Sequence, residues 1–277
     1  MAEYAIGVSG ARRLDYLEGY DFSAPFVKPD PEPKINPSVV LSGARSVIAV
    51  AVPYARARGI NPDGKNRLYI SSIALIPDYH RAVRRILEEI DSALPPHRSK
   101  ALIDSGKLNE RAFAVRCGVA FRARNRSVVS AGVGGFTALG LLVTDLPPED
   151  TGIAPLPPGD ASLAACGDCR ACVAACPGGA LREDGYDYTR CASYITQKPG
   201  DLTETEARLT GGWLYGCDAC RDVCPFNAGV PALEYVMPLP AEIAGMTDGE
   251  WDARFGGTAA RWRGADIMRR NALLNFA

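Results

Sequence analysis

Eight of the chain's nine cysteines fall between Cys166 and Cys224, and their spacing limits the possible folds more than any other feature. Cys166, Cys169, Cys172 and Cys176, followed by Pro177, read C-x2-C-x2-C-x3-C-P. In such a run a tight turn lets three thiolates face one iron–sulfur cubane, and a short helix carries the fourth toward a second cubane. Cys217, Cys220 and Cys224, followed by Pro225, match the last three positions of the same run and lack the first. Cys191 is the remaining cysteine of the region, so it takes the missing place. Crossing the fourth ligands gives one set of Cys166, Cys169, Cys172 and Cys224, and another of Cys176, Cys191, Cys217 and Cys220. Zinc is the competing reading, because C-x2-C pairs also bind it, but zinc ribbons seldom continue into x3-C-P. Two [4Fe–4S] clusters in a ferredoxin-like domain are therefore expected. Cys117 stands apart and reads as an inert buried thiol.

The 277 residues suit two compact domains. Asp145–Asp160 carries five prolines in sixteen residues, which neither a helix nor the inside of a sheet tolerates. We read it as the connection between a domain over residues 1–150 and a cysteine domain over 151–277, with a surface loop inside one domain as the alternative. In the first part, Ser46–Val52 is a buried strand ended by Pro53. Tyr79–Leu94 is an amphipathic helix with Val83, Ile86, Leu87, Ile90 and Leu94 on one face, stopped by Pro95 and Pro96. Ala101–Ile103, Arg126–Ser130 and Phe136–Thr144 read as further strands. In the second part, Thr203 and Glu206 form a capping box for a helix over Glu204–Thr210, and Ala265–Phe276 is a final helix. The fold class is α+β.

The net charge of −1 advertises no global affinity for nucleic acid. No apolar run is long enough to span a membrane, and the N-terminus does not read as a secretory signal. The expectation is a cytoplasmic protein whose cysteines are reduced or metal-bound. Two clusters relay single electrons; substrate chemistry has to come from the rest of the chain.

Several segments together resemble the epoxyqueuosine reductase family, cobalamin-dependent enzymes of queuosine tRNA modification. They are ARSVIAVAVPY (Ala44–Tyr54), DYH (Asp78–His80), ALIDSG (Ala101–Gly106), the first cysteine run, RCASYIT (Arg190–Thr196), WLYGCDACRDVCPFN (Trp213–Asn227) and RRNALLN (Arg269–Asn275). The resemblance implies a nitroreductase-like α/β cobalamin-binding domain with a ferredoxin-like domain of two [4Fe–4S] clusters. It implies electrons passing from an external low-potential donor to cobalt, a strongly nucleophilic cob(I)alamin, and a monomer acting on tRNA. It also implies that Asp104 is the proton donor and contacts the corrin, as do Asn125, Val128, Ser193 and Asp218. A carboxyl kept from water has a raised pKa, which suits proton donation; the plain alternative makes Asp104 a turn residue. Asp218, between cysteines, could instead tune a cluster. His80 reads as a helix-start residue rather than a cobalt ligand.

The sequence departs from the family at several points. Ala120–Asn125 (AFRARN) stands where members have Gly-Trp-x-Gly-Lys-Asn, so both glycines are lost and the backbone is expected to approach a ligand less closely. Ser72, Ile73 and Leu75 replace aromatic and arginine residues, Leu141 replaces a glutamate, and Gly178 replaces a threonine after the first Cys-Pro. The chain stops at Ala277, before the helical-repeat extension of some members. Arg111, Arg116, Arg122, Arg124 and Arg126 form one basic cluster, and Arg261, Arg263, Arg269 and Arg270 another. They suit tRNA phosphates or, equally, contacts to buried carboxylates and carbonyls. Two other functions compete with tRNA modification: corrinoid-dependent reduction of a small molecule, dehalogenase-like, and electron transfer to a corrinoid held by a partner.

Overall fold

The structure, a computed structural model, describes residues 4–18, 30–130 and 132–275. It divides into two compact units: 1–53 with 80–168, and 54–79 with 169–277. The proline run therefore does not mark the whole division, because the segment Tyr54–Tyr79 groups with the cysteines.

The first unit is built on a four-stranded antiparallel sheet in the order Ala5–Gly10, Ser46–Pro53, Thr137–Thr144, Ser99–Leu102. Ser46–Pro53 is central, and its first seven residues are buried. A strand covered on both faces reads as a continuous apolar run rather than an alternating one, which is why SVIAVAV is so uniformly apolar. Val47, Ala49, Ala51, Leu141 and Val143 share a core with Phe113 and Val115 of the helix Glu110–Arg116. On the other face the helix Tyr79–Ala93 lays Val83 and Leu87 against Val50 and Gly140. A Cβ at Gly140 would come within 2.4 Å of Val83 Cγ1, so only glycine lets that helix approach. Leu141 is fully buried and pairs with Ala49. Its side chain is core, worth about 1.5–3 kcal/mol of burial, where a glutamate would be an unpaired buried charge.

The expected strand over Arg126–Ser130 is reduced to Val128–Val129, paired with Phe121–Arg122. The cause is a tight turn. Arg126 has φ +64°, the left-handed region. Ala123 N–H donates to Ser127 O at 3.0 Å, and Asn125 Oδ1 accepts from Ser127 N–H at 3.1 Å. Cys117 is buried, its Sγ 3.3 Å from both Val47 O and Ser9 Oγ. Burial raises its thiol pKa to about 11.

The second unit joins distant pieces of chain by parallel pairing: Arg56–Ile60 with Ala232–Val236, and Tyr69–Ile70 with Trp213–Tyr215. Its core gathers Leu68, Ile70, Leu214, Trp251, Phe255 and Met268. The helix Glu204–Leu209 starts on the expected capping box of Thr203 and Glu206. The final helix is Ala265–Leu273; Phe276, included in the expected helix, lies outside the described residues. Among the described residues no helix is long and apolar enough to cross a membrane.

Candidate active site

In the cysteine-bearing unit the thiols sit on short helical turns. Cys172 lies in Ala171–Ala174 and Cys220 in Ala219–Asp222, and these two helices pack together. Cys191 precedes Ala192–Ile195, and Cys224 precedes Pro225–Asn227. Burial pushes the Cys217 thiol well above its usual range, with the charges of Cys220 and Cys191 adding to the effect. The Cys220 thiol is pushed up to about 12 by burial, with Arg221 opposing and Cys191, Asp218 and Cys172 reinforcing. Cys191 is therefore close enough for both Cys217 and Cys220 to feel it. A coordinating cation would remove the protons of these thiols outright. Cys176 Sγ accepts from Ala180 N–H at 3.2 Å. In the first unit, Cys166 Sγ accepts from Arg124 N–H at 3.3 Å. Such N–H···S bonds stabilise thiolate ligands. Among the described residues no three His, Cys, Asp or Glu side chains converge tightly enough for a single metal ion.

The backbone around the thiols is tightly specified. Gly216 has φ +66°, and a Cβ there would lie 2.6 Å from Ser71 Cβ. At Gly178 a Cβ would lie 1.9 Å from Arg190 O, and Arg190 Nε donates to Gly178 O at 2.9 Å. The threonine usual in the family has no room here. Asp218 is 3% exposed: Oδ1 accepts from Ser71 Oγ at 2.8 Å and Oδ2 from Ser72 N–H at 2.6 Å. Ser72 Oγ in turn accepts from Ala57 N–H at 2.9 Å. Of the altered residues before DYH, Ser72 holds the loop between Cys217 and Cys220, through its backbone amide. Ser193 is half-buried, its Oγ 3.3 Å from Gln197 Nε2. Asn271, from the closing RRNALLN, is 1% exposed and donates to Thr196 O and Leu214 O at 2.8 and 2.7 Å. Thr196 Oγ1 accepts from Gly216 N–H at 3.0 Å. One buried amide thereby ties the last helix to the approaches to Cys191 and Cys217.

In the sheet unit, Asp104 follows the strand Ser99–Leu102 with φ +44°, one of three non-glycine residues in the left-handed region among those described. Its side chain is exposed. Aspartate is among the few non-glycine residues that adopt this region readily, because its short side chain bonds locally. The loop is held on both sides: buried Lys34 donates to Gly106 O, and Asn109 caps the helix Glu110–Arg116. Glu110 went unnoticed in the sequence. Its carboxyl pKa is raised to about 8, first by burial and then by the Asp104 charge, while the backbone amides of Asp104 and Ser105 oppose the rise. Asn125 and Val128 are buried in the turn and hairpin described above. Ala120, at one of the lost glycines, is 5% exposed and packs in the sheet unit's core. Its methyl group belongs to that core.

The two arginine clusters are largely engaged. Arg116 donates to Arg12 O and Arg13 O, Arg111 to Arg126 O, and Arg124 to Gly167 O. Arg269 binds Asp248, Asp266 and Met246 O, and Arg270 binds Lys198 O and Gly200 O. Arg263 stacks on Trp262 at 3.6 Å. Arg12 and Arg45, which the sequence clusters omit, line an open cleft of about 820 Å³ with Arg116.

An antiparallel-sheet unit with a presented carboxyl, and a second unit of paired cysteine turns, define an iron–sulfur oxidoreductase. Residues 165–227 match the family model "4Fe-4S double cluster binding domain", and residues 34–107 match "Epoxyqueuosine reductase QueG, DUF1730". The chain is 31% identical to the epoxyqueuosine reductase of Bacillus subtilis over 283 residues, covering 96% of this chain and 71% of the relative. It is 30% identical to that of Bacillus anthracis, covering 96% and 72%. The solved epoxyqueuosine reductase of Streptococcus thermophilus superposes with a TM-score of 0.83 at 29% identity, covering 98% of this chain and 76% of that one. An epoxyqueuosine reductase solved with an epoxyqueuosine-modified tRNA-Tyr stem loop gives a TM-score of 0.83 at 28% identity and the same coverage. The chain belongs to the epoxyqueuosine reductase family, and it carries a double-cluster iron–sulfur domain.

Proposed function

We propose that this chain reduces epoxyqueuosine in tRNA to queuosine, as a cytoplasmic monomer fed by an external low-potential electron donor. Loss of the epoxide oxygen consumes two electrons and two protons and releases water. The ligand sets are Cys166, Cys169, Cys172 and Cys224 for one [4Fe–4S] cluster, and Cys176, Cys191, Cys217 and Cys220 for the other. Asn125, Val128 and Ser193, with Asp104, are the contacts for cobalamin. The clusters supply single electrons when bound, and cobalamin supplies a cobalt centre able to deliver them to carbon.

Asp104 protonates the epoxide oxygen as its C–O bond breaks. The observation that carries this role is its presentation: an exposed carboxyl with that of Glu110 beside it, on a loop gripped by Lys34 and Asn109. A positioned general acid contributes about 10²–10⁴-fold. Asp218 acts differently. With both oxygens taken inside its own unit, it holds the cysteine loop rather than a corrin. Arg12 and Arg45 meet tRNA phosphates at the open cleft.

The test is anaerobic turnover of an epoxyqueuosine-bearing anticodon stem loop by cluster-reconstituted protein, with and without added cobalamin. Queuosine formed only with cobalamin supports the proposal; a corrin spectrum with no turnover of the stem loop favours a small-molecule substrate. No corrin uptake at all favours plain electron transfer.

A further inference from the structure

The strand register separates the arginine-lined cleft from Asp104, though both belong to the sheet unit. Gly10, Ser46, Thr144 and Ser99 stand abreast across the four strands, and Gly7, Ala49, Leu141 and Leu102 form a parallel row further along. Arg12 and Arg45 lie just outside the first row, tied together where Ala11 N–H donates to Arg45 O at 2.9 Å. Asp104 lies outside the second row, at the opposite end of the sheet. Gly10 and Leu102 are three residues apart along the strands and three strand spacings apart across them, which is about 17 Å. The cleft also stands out in charge. Arg13 spends its guanidinium on Asp15, Glu18 and Glu32. Its neighbour Arg12, and Arg45, are exposed and make no ion pair or side-chain hydrogen bond among the described residues. Arg116 is fixed to the same loop through Arg12 O and Arg13 O. Among the described residues, Glu149 is the one acid lining the cleft, and no aromatic ring lines it.

Unpaired RNA is gripped largely by stacking its bases on aromatic rings, whereas paired RNA is met through its phosphates and sugars. A cleft with three guanidiniums and no ring suits the second. Duplex nucleic acid carries a phosphate about every 3.4 Å of axis on each strand. Across the separation set by the sheet, a phosphate held by Arg12 and Arg45 is therefore about five base steps or more from the nucleotide that meets Asp104. We infer that the cleft grips the paired stem of the RNA, not the loop that carries the reacting nucleotide. The inference rests on the reading of tRNA as substrate. Guanidinium forks match phosphate oxygens in pairs, so they fix where the stem lies. They do so without reading its sequence, because phosphate contacts carry none. The stem then serves as a handle that brings the loop to the far end of the sheet.

The experiment measures, by fluorescence anisotropy, binding of the reconstituted full chain to two RNAs. One is an epoxyqueuosine-bearing stem loop with its full stem, and the other is truncated to the pairs beside the loop. Wild type binds the full stem more tightly. Arg45→Gln weakens that binding by about tenfold, the size of one charge-assisted hydrogen bond. It also lowers the slope of log affinity against log salt by about one. Arg12→Gln acts in the same way, and both variants lose most of the preference for the full stem. Glu149→Gln removes the lining acid and strengthens full-stem binding, a gain that misfolding cannot imitate. Stems of scrambled sequence with pairing kept respond like the original. Equal losses for both RNAs place the arginines at the loop and overturn the proposal. An unmoved salt slope, or a loss that depends on stem sequence, overturns it as well. If wild type binds neither RNA, the tRNA reading itself fails, a result distinct from equal losses.

Discussion

In the cysteine-bearing unit, Asp218 is 3% exposed and both its oxygens are occupied by Ser71 and Ser72. In the sheet unit, Asp104 is exposed, sits at φ +44°, and has a second carboxyl, Glu110, behind it. Both aspartates lie in segments that resemble the same family, yet their surroundings are opposite. A carboxylate with its lone pairs satisfied locks a loop. An exposed carboxyl beside another acid is suited to exchanging protons. Resemblance placed both residues against a cofactor; the hydrogen bonds separate them.

Substituting each aspartate tests that contrast most sharply. Asp104→Asn lowers single-turnover conversion of the stem loop by about 10²–10⁴-fold, with iron content and melting temperature close to wild type. Near-full activity would end its role as proton donor. Asp218→Ala behaves in the opposite way. It leaves the Ser71 hydroxyl and the Ser72 amide without their buried acceptor and destabilises the unit by about 1–3 kcal/mol, measured by denaturant unfolding of the loaded protein. If it instead melts like wild type and fails only in turnover, the two aspartates are alike after all.

Gly178→Thr restores the usual family residue and drives a Cβ into Arg190 O. It costs about 1–3 kcal/mol by overpacking, visible as iron loss on mild heating. A neutral result would mean that the Arg190 backbone shifts easily.

A pH-dependent effect concerns Glu110. Its folded pKa of about 8 lies above its ordinary value of 4.5, so the native state holds the extra proton between those values. Stability from this source is complete below about pH 4.5 and is lost as pH rises toward 8. Glu110→Gln removes that slope, so wild type loses melting temperature relative to the variant across the interval. Parallel curves would show that Glu110 ionises normally.

Much of this was legible in the sequence. The cysteine spacing marked the iron–sulfur domain because four thiolates on one small object tolerate few backbone paths. Ser46–Pro53 and Tyr79–Ala93 were legible because a strand or helix facing a core has a fixed apolar period. Thr203 and Glu206 announced a helix start because capping is local chemistry. What escaped was non-local or conformational. Nothing in Arg56–Ile60 announces a parallel partner at Ala232–Val236. A left-handed backbone at Arg126 turned an expected strand into a turn, and β-propensity carries no sign of it. Glu110 looked like any acidic residue in a first helical turn; its burial beside Asp104 exists only in three dimensions. The arginine clusters left two readings open because guanidiniums close together in sequence spend themselves on separate carbonyls and carboxylates.

The excursion of Tyr54–Tyr79 into the cysteine-bearing unit has a consequence for how the protein is made. At translation rates of about 5–20 residues per second, Arg56–Ile60 emerges roughly 10–35 s before the strand it pairs with. Tyr54 and Ser71 likewise wait for Arg221 and Asp218. Through that interval the nascent chain displays one half of a metal-binding unit with nothing to close on. The unit is completed only once Ala232–Val236 has emerged.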